Sequence, residues 1–256
     1  MSFQERVRLK KGKGKIIMLT AYDFQMAKIL DQTDIDLILV GDSLVMVVEG
    51  YSDTKSVTMA DMIYHIKAVA RGAKNKPIIG DMPINSCNTV EDGLKNAKQF
   101  IETGAHGVKI EGRKTDIIKA LIKEGIPVIG HVGMLPQIAE EYHVKGKTPE
   151  EAKSILQDAL ALDKLGVFSI VLECIPENLA KTITETVSTT TIGIGAGKYC
   201  DGQVLVINDM LGFDVGFKPK YVKTYANLNK TIRDAVLKFI VEVNEGKYPD
   251  PEHSYH

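Results

Sequence analysis

The feature that most constrains this chain is an alternation of short apolar runs with longer segments of helical period. Each run is rich in Ile, Val and Leu. Because nearly every position in a run is apolar, rather than every second one, the runs are typical of parallel strands that are buried on both faces. The eight runs are Ile16–Leu19, Leu37–Val40, Pro77–Ile79, Gly107–Ile110, Pro127–Ile129, Val167–Leu172, Thr191–Ile194 and Val204–Ile207.

The segments between the runs carry helix start and stop signals. Thr148, Pro149 and Glu151 form a capping box with a first-turn proline, and they predict a helix over Ala152–Leu165. Glycine follows several of the predicted helices, where it favours termination. Looser capping patterns predict two further helices, Met62–Ala70 and Leu94–Glu102.

Eight strands with helical connections in 256 residues predict an α/β fold of the (β/α)₈ TIM-barrel type, whose usual size is ~250 residues. We expect one catalytic barrel domain over residues 1–256, with a short N-terminal extension and a C-terminal helix at Asn227–Glu245. A doubly wound open sheet is the alternative. The pattern predicts no helix between the seventh and eighth runs, and the long segment Gly41–Val57 is a candidate cover for a site.

Composition narrows the class of partner. The chain has 32 Lys+Arg, 33 Asp+Glu and a net charge of −1, so we expect neither nucleic acid nor a membrane among its partners. No apolar run is long enough to span a bilayer as a helix. The cysteines Cys87, Cys174 and Cys200 form no C-x-x-C pair, which favours a reducing compartment and predicts a cytoplasmic protein.

Charged side chains follow five consecutive runs, at the strand ends that a parallel barrel gathers into its active site. A single carboxylate after a strand is commonly a helix cap, but five strands in series rarely deliver such groups by chance. Lys109 and Glu111 share one side of their strand because side chains alternate. Two aspartates with a glutamate on the next strand suit a hard cation such as Mg²⁺. The residues are Asp42, Asp81, Lys109, Glu111, His131 and Glu173.

A series of short motifs covers nearly the whole chain. In order, they are Met18–Asp23, Val40–Leu44, Asp61–His65, Ala68–Gly72, Asp81–Pro83, Val108–Gly112, Gly130–Gln137, Leu172–Pro176, Ile192–Gly197 and Cys200–Val204. Together they resemble the ketopantoate hydroxymethyltransferase (3-methyl-2-oxobutanoate hydroxymethyltransferase) family.

The resemblance implies a reaction. A hydroxymethyl group would pass from 5,10-methylenetetrahydrofolate to 3-methyl-2-oxobutanoate through a Mg-stabilised enolate, giving 2-dehydropantoate in pantothenate synthesis. The resemblance also implies Mg²⁺ as the cofactor, the folate as co-substrate, and a homo-oligomer, namely a decamer.

The same resemblance implies roles for individual residues. Glu173 matches the proton acceptor. The metal-site residues that it implies are Asp42, Asp81 and Glu111. The substrate-site residues that it implies are Asp42, Ser43, Asp81, Lys109 and His131.

Two alternatives remain on the residues alone. Another Mg-dependent lyase that cleaves carbon–carbon bonds of 2-oxo acids would use the same aspartates and need no folate. A non-catalytic binding protein would keep the pocket, and would bind metal and oxo acid without turnover.

Overall fold

Eight parallel strands close into a barrel in the computed structural model, which describes residues 1–213, 216 and 218–255. Each strand pairs with the next along the chain, and β1 closes the ring by pairing with β8. The predicted TIM-barrel fold is confirmed. The strands are β1 (Ile16–Thr20), β2 (Leu37–Val40), β3 (Ile78–Asp81), β4 (Gly107–Glu111), β5 (Val128–Gly133), β6 (Ser169–Glu173), β7 (Thr190–Ile194) and β8 (Gly202–Leu205).

Helices connect the strands. No helix among the described residues is long and apolar enough to cross a membrane. The chain divides into two compact units, Met1–Val206, which holds the barrel, and Ile207–His256. The helices are α1 (Phe3–Arg8), α2 (Phe24–Asp31), α3 (Leu44–Val47), α4 (Met59–Gly72), α5 (Val90–Thr103), α6 (Thr115–Lys123), α7 (Pro149–Leu165), α8 (Glu177–Thr186), α9 (Ile207–Leu211) and α10 (Leu228–Asn244), with 3₁₀ turns at Thr54–Ser56 and Pro251–His253.

The eighth strand differs from its prediction. It begins at Gly202 rather than Val204, and Ile207 begins α9 instead of ending the strand. A Cβ on Gly202 would lie 2.5 Å from the Ile16 carbonyl oxygen, so the first position of β8 needs a glycine to pair with β1. Because glycine adds nothing to an apolar run, the run Val204–Ile207 does not indicate that the strand begins at Gly202. The seven residues between β7 and β8 contain no helix, as predicted.

Two glycines inside strands show how the barrel directs its side chains. A Cβ on Gly80 would lie 2.6 Å from the Phe100 ring of α5, and one on Gly130 would lie 2.7 Å from Leu162 of α7. Both positions therefore face the surrounding helices. Since strand side chains alternate, Asp81 and His131, one residue later, face the barrel interior.

The amino end of the barrel is covered by the N-terminal segment. The Phe3 ring in α1 lies edge-on to Phe168, with centroids 5.4 Å apart, and to His106 at 6.2 Å. His106 Nδ1 also accepts a hydrogen bond from the Ile78 N–H. Phe168 and His106 precede β6 and β4, so α1 packs against the strand beginnings. His106 therefore has a structural role at this end of the barrel.

Asp201 ties this segment to the barrel. Its buried carboxylate accepts hydrogen bonds from Lys11 Nζ at 2.9 Å, from the Gly12 N–H at 3.2 Å and from the Thr191 N–H at 2.9 Å. Lys11 Nζ also donates to the Thr184 carbonyl. One carboxylate thus joins the N-terminal segment to the start of β7.

Replacing this carboxylate should destabilise the fold. We expect Asp201→Ala to lower the free energy of unfolding by about 2–3 kcal/mol, because it leaves buried donors without acceptors. Urea denaturation measures the change. Asp234→Ala is the matched control, since Asp234 pairs with Lys230 on the exposed surface of α10 and should change stability little. Equal losses in the two variants would contradict this account of Asp201.

Candidate active site

The six side chains predicted from the strand ends lie together at the carboxyl end of the barrel. Strand register brings them into line, with Asp81 opposite Lys109, Glu111 opposite His131, and Gly133 opposite Glu173. Asp42 follows β2, and its N–H lies 3.4 Å from Asp81 Oδ2. Five of the six are buried, and Glu173 has 14 % of its side chain exposed.

Lys109 is the ammonium at the centre of the cluster. Its Nζ donates to both Asp81 oxygens, at 2.7 and 2.8 Å, and lies 4.0 Å from Glu111 Oε1. Burial opposes its charge, but the carboxylates of Asp81, Glu111 and Asp42 raise the pKa of Lys109 above its ordinary value. Lys109 is therefore charged at neutral pH.

Asp42 and Asp81 carry uncompensated electrostatic repulsion. Burial and the charge of Asp81 raise the pKa of Asp42 well above its ordinary value, against the opposing effect of Lys109. Burial likewise raises the pKa of Asp81, although Lys109 lowers it. One lysine does not balance the buried carboxylates, so a further cation at this point would stabilise their ionised forms.

His131 lies between two glutamates. Its Nε2 is 3.2 Å from Glu173 Oε2, and its Nδ1 is 3.6 Å from Glu111 Oε1. Burial and the Lys109 charge oppose protonation, yet Glu111 and Glu173 raise the pKa of His131 to about 9. In turn, His131 and Lys109 hold the pKa of Glu111 below its ordinary value, despite burial. The raised pKa favours the imidazolium form at neutral pH, and the ring lies between the two glutamates.

Gln137 belongs to the site, although the strand-end argument did not select it. Its Nε2 donates to Asp42 Oδ2 and to the Met82 carbonyl, both at 2.9 Å, and its backbone N–H donates to Glu111 Oε2 at 3.1 Å. It lies in the loop between β5 and α7, beyond the strand end. The only sequence feature that pointed to Gln137 was its place in the Gly130–Gln137 motif.

Ser43 is the residue just before α3 and follows Asp42 of the cluster. Its Oγ is 2.9 Å from the Tyr22 hydroxyl, and the Tyr22 carbonyl oxygen lies 2.6 Å from His65 Nδ1. Two motif residues that were not predicted as site residues, Tyr22 and His65, therefore form a chain of polar contacts that ends at Ser43. The roles of Ser43 and of the six strand-end residues stay predictions.

The backbone around Glu173 is tightly held. Gly133 has φ +100°, and a Cβ there would lie 2.3 Å from the Glu173 carbonyl oxygen, so only glycine permits this approach of β5 to β6. Cys174 has φ +47°, which is strained for a residue with a side chain. Its N–H donates to the Ile194 carbonyl, and its own carbonyl accepts from the Lys145 N–H. These backbone constraints on Cys174 also fix the position of the Glu173 backbone, from which the carboxylate extends.

The donors present fit a hard divalent cation. Among the described residues, no three His, Cys, Asp or Glu side chains are grouped so as to hold a metal ion by themselves. Asp42 and Asp81 are adjacent carboxylates, however, and Mg²⁺ uses one or two such ligands with water and substrate oxygens. Glu111 Oε1 is also buried without an in-line hydrogen bond within the described part of the chain. Oxygen donors predominate, which disfavours softer metals.

Comparisons with known proteins identify the family and the fold. A family model described as ketopantoate hydroxymethyltransferase matches residues 1–251. The 3-methyl-2-oxobutanoate hydroxymethyltransferase of Clostridium botulinum strain 657 is 52% identical, over 99% of this chain and 94% of its own length. That of Clostridium kluyveri is 54% identical, over 97% and 91%. A crystal structure of phosphonopyruvate hydrolase with oxalate and Mg²⁺ shares the fold at TM-score 0.64 and 13% identity, over 99% and 93%.

The raised pKa of His131 predicts that stability in the metal-free protein depends on pH. The stabilisation is complete below the ordinary histidine pKa of 6.5 and is lost as pH rises through about 9, because the folded protein then releases a proton that the unfolded chain has already lost. We expect the free energy of unfolding to fall by up to about 3 kcal/mol across this range. Urea denaturation at a series of pH values measures it. His131→Gln should flatten the profile, and an unchanged slope in that variant would assign the titration elsewhere.

Proposed function

The chain belongs to the ketopantoate hydroxymethyltransferase family, and on that premise we propose that it transfers a hydroxymethyl group from 5,10-methylenetetrahydrofolate to 3-methyl-2-oxobutanoate, giving 2-dehydropantoate. The family is one of transferases in pantothenate synthesis. The observation that carries the proposal is the row of contacts from Asp42 through Lys109 to Glu173 at one end of the barrel. It combines carboxylates for a metal, a cation for an anionic substrate and a partly exposed carboxylate for a proton.

Asp42 and Asp81 are the proposed Mg²⁺ ligands, with Glu111 as an acidic group behind them. When bound there, Mg²⁺ supplies Lewis-acid polarisation of the 2-oxo group and so makes the proton on the adjacent carbon more acidic. Burial and then the charge of Asp81 raise the pKa of Asp42 in the protein alone, and a cation at this point would offset both effects, which supports this assignment.

Lys109 is the proposed partner of the substrate carboxylate. An ammonium group has three donors, and Asp81 accepts two hydrogen bonds from it. The remaining donor can reach a substrate oxygen without giving up the contact with Asp81. Ser43, at the start of the segment after β2, is proposed to add a hydroxyl to the same substrate.

Glu173 is the proposed base that accepts the proton from carbon 3 of the oxo acid. Its carboxylate lies 3.2 Å from His131 Nε2, and 14 % of its side chain is exposed, so a substrate can approach it. The enolate then attacks the methylene carbon of the folate, and the new carbon–carbon bond forms as one of the two carbon–nitrogen bonds breaks. The proton taken up by Glu173 passes to the nitrogen released in this step. Water displaces the second nitrogen, supplying the hydroxyl oxygen to the methylene carbon and a proton to that nitrogen, so that tetrahydrofolate and 2-dehydropantoate are the products.

A cavity of about 420 Å³ is the proposed location of the folate co-substrate. It opens beside Gly133, whose neighbour Met134 donates its N–H to the Glu173 carbonyl. The apolar part of its wall suits a flat aromatic ring system, and it consists of Leu135, Ile138 and Ala139. The rest of the wall carries charged or titratable side chains, namely those of Glu140, Glu141, His143 and Lys145.

We also propose a cytoplasmic homo-oligomer, a decamer by family resemblance. One face of α10 supports an assembly, because several of its large apolar side chains are about half exposed and contiguous faces of this kind mark interaction surfaces. They are Ile232, Val236, Phe239, Ile240 and Val243.

The decisive experiment supplies Mg²⁺, 3-methyl-2-oxobutanoate and 5,10-methylenetetrahydrofolate to the full chain and measures 2-dehydropantoate. We expect product only when all three are present, because the folate provides the carbon and the metal the polarisation. Cleavage of 2-oxo acids without folate would favour a lyase instead. Binding of metal and oxo acid without any turnover would favour a binding protein.

The role of Glu173 can be tested before any carbon is transferred. With Mg²⁺ present, the protein should exchange the hydrogen at carbon 3 of 3-methyl-2-oxobutanoate with solvent deuterium, as followed by proton NMR. Glu173→Gln is nearly isosteric but a poor base. It should slow exchange and turnover in parallel, by ~10²–10⁴-fold.

The control for this variant is Glu177→Gln, an exposed glutamate in the first turn of α8, which should leave exchange unchanged. Calorimetry of oxo-acid binding in both variants separates lost chemistry from lost affinity. If Glu173→Gln exchanges at the wild-type rate, Glu173 is not the base and His131 becomes the next residue to test.

A further inference from the structure

Gln137 makes three hydrogen bonds that join the ends of three strands. Its two side-chain N–H groups bind Asp42 Oδ2, beyond β2, and the Met82 carbonyl, beyond β3. Its backbone N–H binds Glu111 Oε2, at the end of β4. The residue is itself buried, at 5% exposure. Its contacts therefore lie among the carboxylates and not at the surface.

We propose that Gln137 is a positioning residue for the metal site, which orients the Asp42 carboxylate through its side-chain amide and Glu111 through its backbone. This inference rests on the proposed function, since it takes Asp42 as a metal ligand. A residue in the loop after β5 would thus orient side chains that follow β2 and β4.

The Asp42 carboxylate is held in one rotational orientation by its hydrogen bond from Gln137. A carboxylate can turn about its Cβ–Cγ bond, and electrostatic repulsion from Asp81 acts on it. With Oδ2 held by Gln137 at 2.9 Å, the direction of the second oxygen is also set. A ligand oxygen that is already oriented loses less freedom when it binds a cation.

The Gln137 side-chain amide is itself held by two hydrogen bonds. The Met82 carbonyl accepts the other amide hydrogen, so the amide plane is fixed at two points. Met82 is the residue after Asp81, the other proposed ligand. The amide therefore links the backbone beside one aspartate with the carboxylate of the other, and sets their relative position.

A glutamine side chain suits position 137. The position needs two donors directed at two acceptors, and it cannot add charge among carboxylates that already repel. A glutamine amide has two N–H donors and no charge. A methionine fills a similar volume but has no donor. Gln137→Met therefore removes the two side-chain hydrogen bonds while leaving the packing similar.

The test is the affinity for Mg²⁺ alone, measured by calorimetry on the full chain. Gln137→Met should raise the dissociation constant of Mg²⁺ by about 10–100-fold, the usual effect of removing a partner that orients a metal ligand. The backbone N–H to Glu111 stays in this variant, so the loss reports on the side chain. The Mg²⁺ concentration for half-maximal activity should rise in parallel, while kcat at saturating Mg²⁺ recovers.

Two controls separate positioning from general damage. Gln157→Met makes the same substitution at an exposed site on α7 and should bind Mg²⁺ as the wild type does. Should Gln137→Met fail to fold, Gln137→Asn provides the same test, because its shorter side chain does not reach both acceptors. Wild-type Mg²⁺ affinity in a folded Gln137 variant would overturn the inference and leave the proposed function standing.

A double-mutant cycle tests the route through Asp42. In an Asp42→Asn background, Gln137→Met should cause little further loss of Mg²⁺ affinity, since the group that it orients is already changed. Full additivity of the two losses would contradict the proposal. If the wild-type protein binds no Mg²⁺ at all, the proposed metal site itself is contradicted, whereas wild-type Mg²⁺ affinity in a Gln137 variant contradicts only the inference.

Discussion

The ion pair between Lys109 and Asp81 is the interaction on which the rest of the site depends. Moving charges from water into a protein interior is costly unless they are paired, and this barrel places several carboxylates in its interior. Lys109 contacts both Asp81 oxygens and raises the ionised fraction of Glu111 and Asp42. The pKa of Asp42 nevertheless stays raised, first by burial and then by the charge of Asp81. A site with residual repulsion of this kind is suited to take up a cation.

The two ends of the barrel use buried polar groups for different purposes. At the amino end, Asp201 accepts hydrogen bonds that close the structure over the strand beginnings, with its carboxylate paired to Lys11. At the carboxyl end, Glu111 Oε1 and both His131 ring nitrogens are buried and have no hydrogen-bond partner among the described residues, although Nδ1 lies 3.6 Å from Oε1. A satisfied network stabilises a fold, whereas groups left partly satisfied in a cleft are available to a ligand.

Much of this arrangement could be predicted from the sequence, because strand and helix signals are local. Runs of Ile, Val and Leu located the strands, and the strand-end rule located Asp42 and Glu173. The start of β8 was missed because close approach to β1 requires Gly202, and apolar content does not reveal a close approach. Gln137 was missed because its function depends on hydrogen bonds to residues 55 and 95 positions away, which no local pattern encodes. The roles of the site residues came from family resemblance and not from the pattern itself.

The closure of the barrel has a consequence for how the chain reaches this structure. Ile16 pairs with Gly202, so the first strand cannot find its second partner until almost the whole barrel sequence exists. On a ribosome, β1 would spend most of synthesis with one unpaired edge, a state open to wrong pairing. Contacts of such long sequence separation slow folding, since the chain loses much entropy before they form. In the folded chain Lys11 Nζ binds the Asp201 carboxylate and Lys15 Nζ binds the Cys200 carbonyl, so the lysines of the N-terminal segment also gain these partners only once that late part of the barrel has been made.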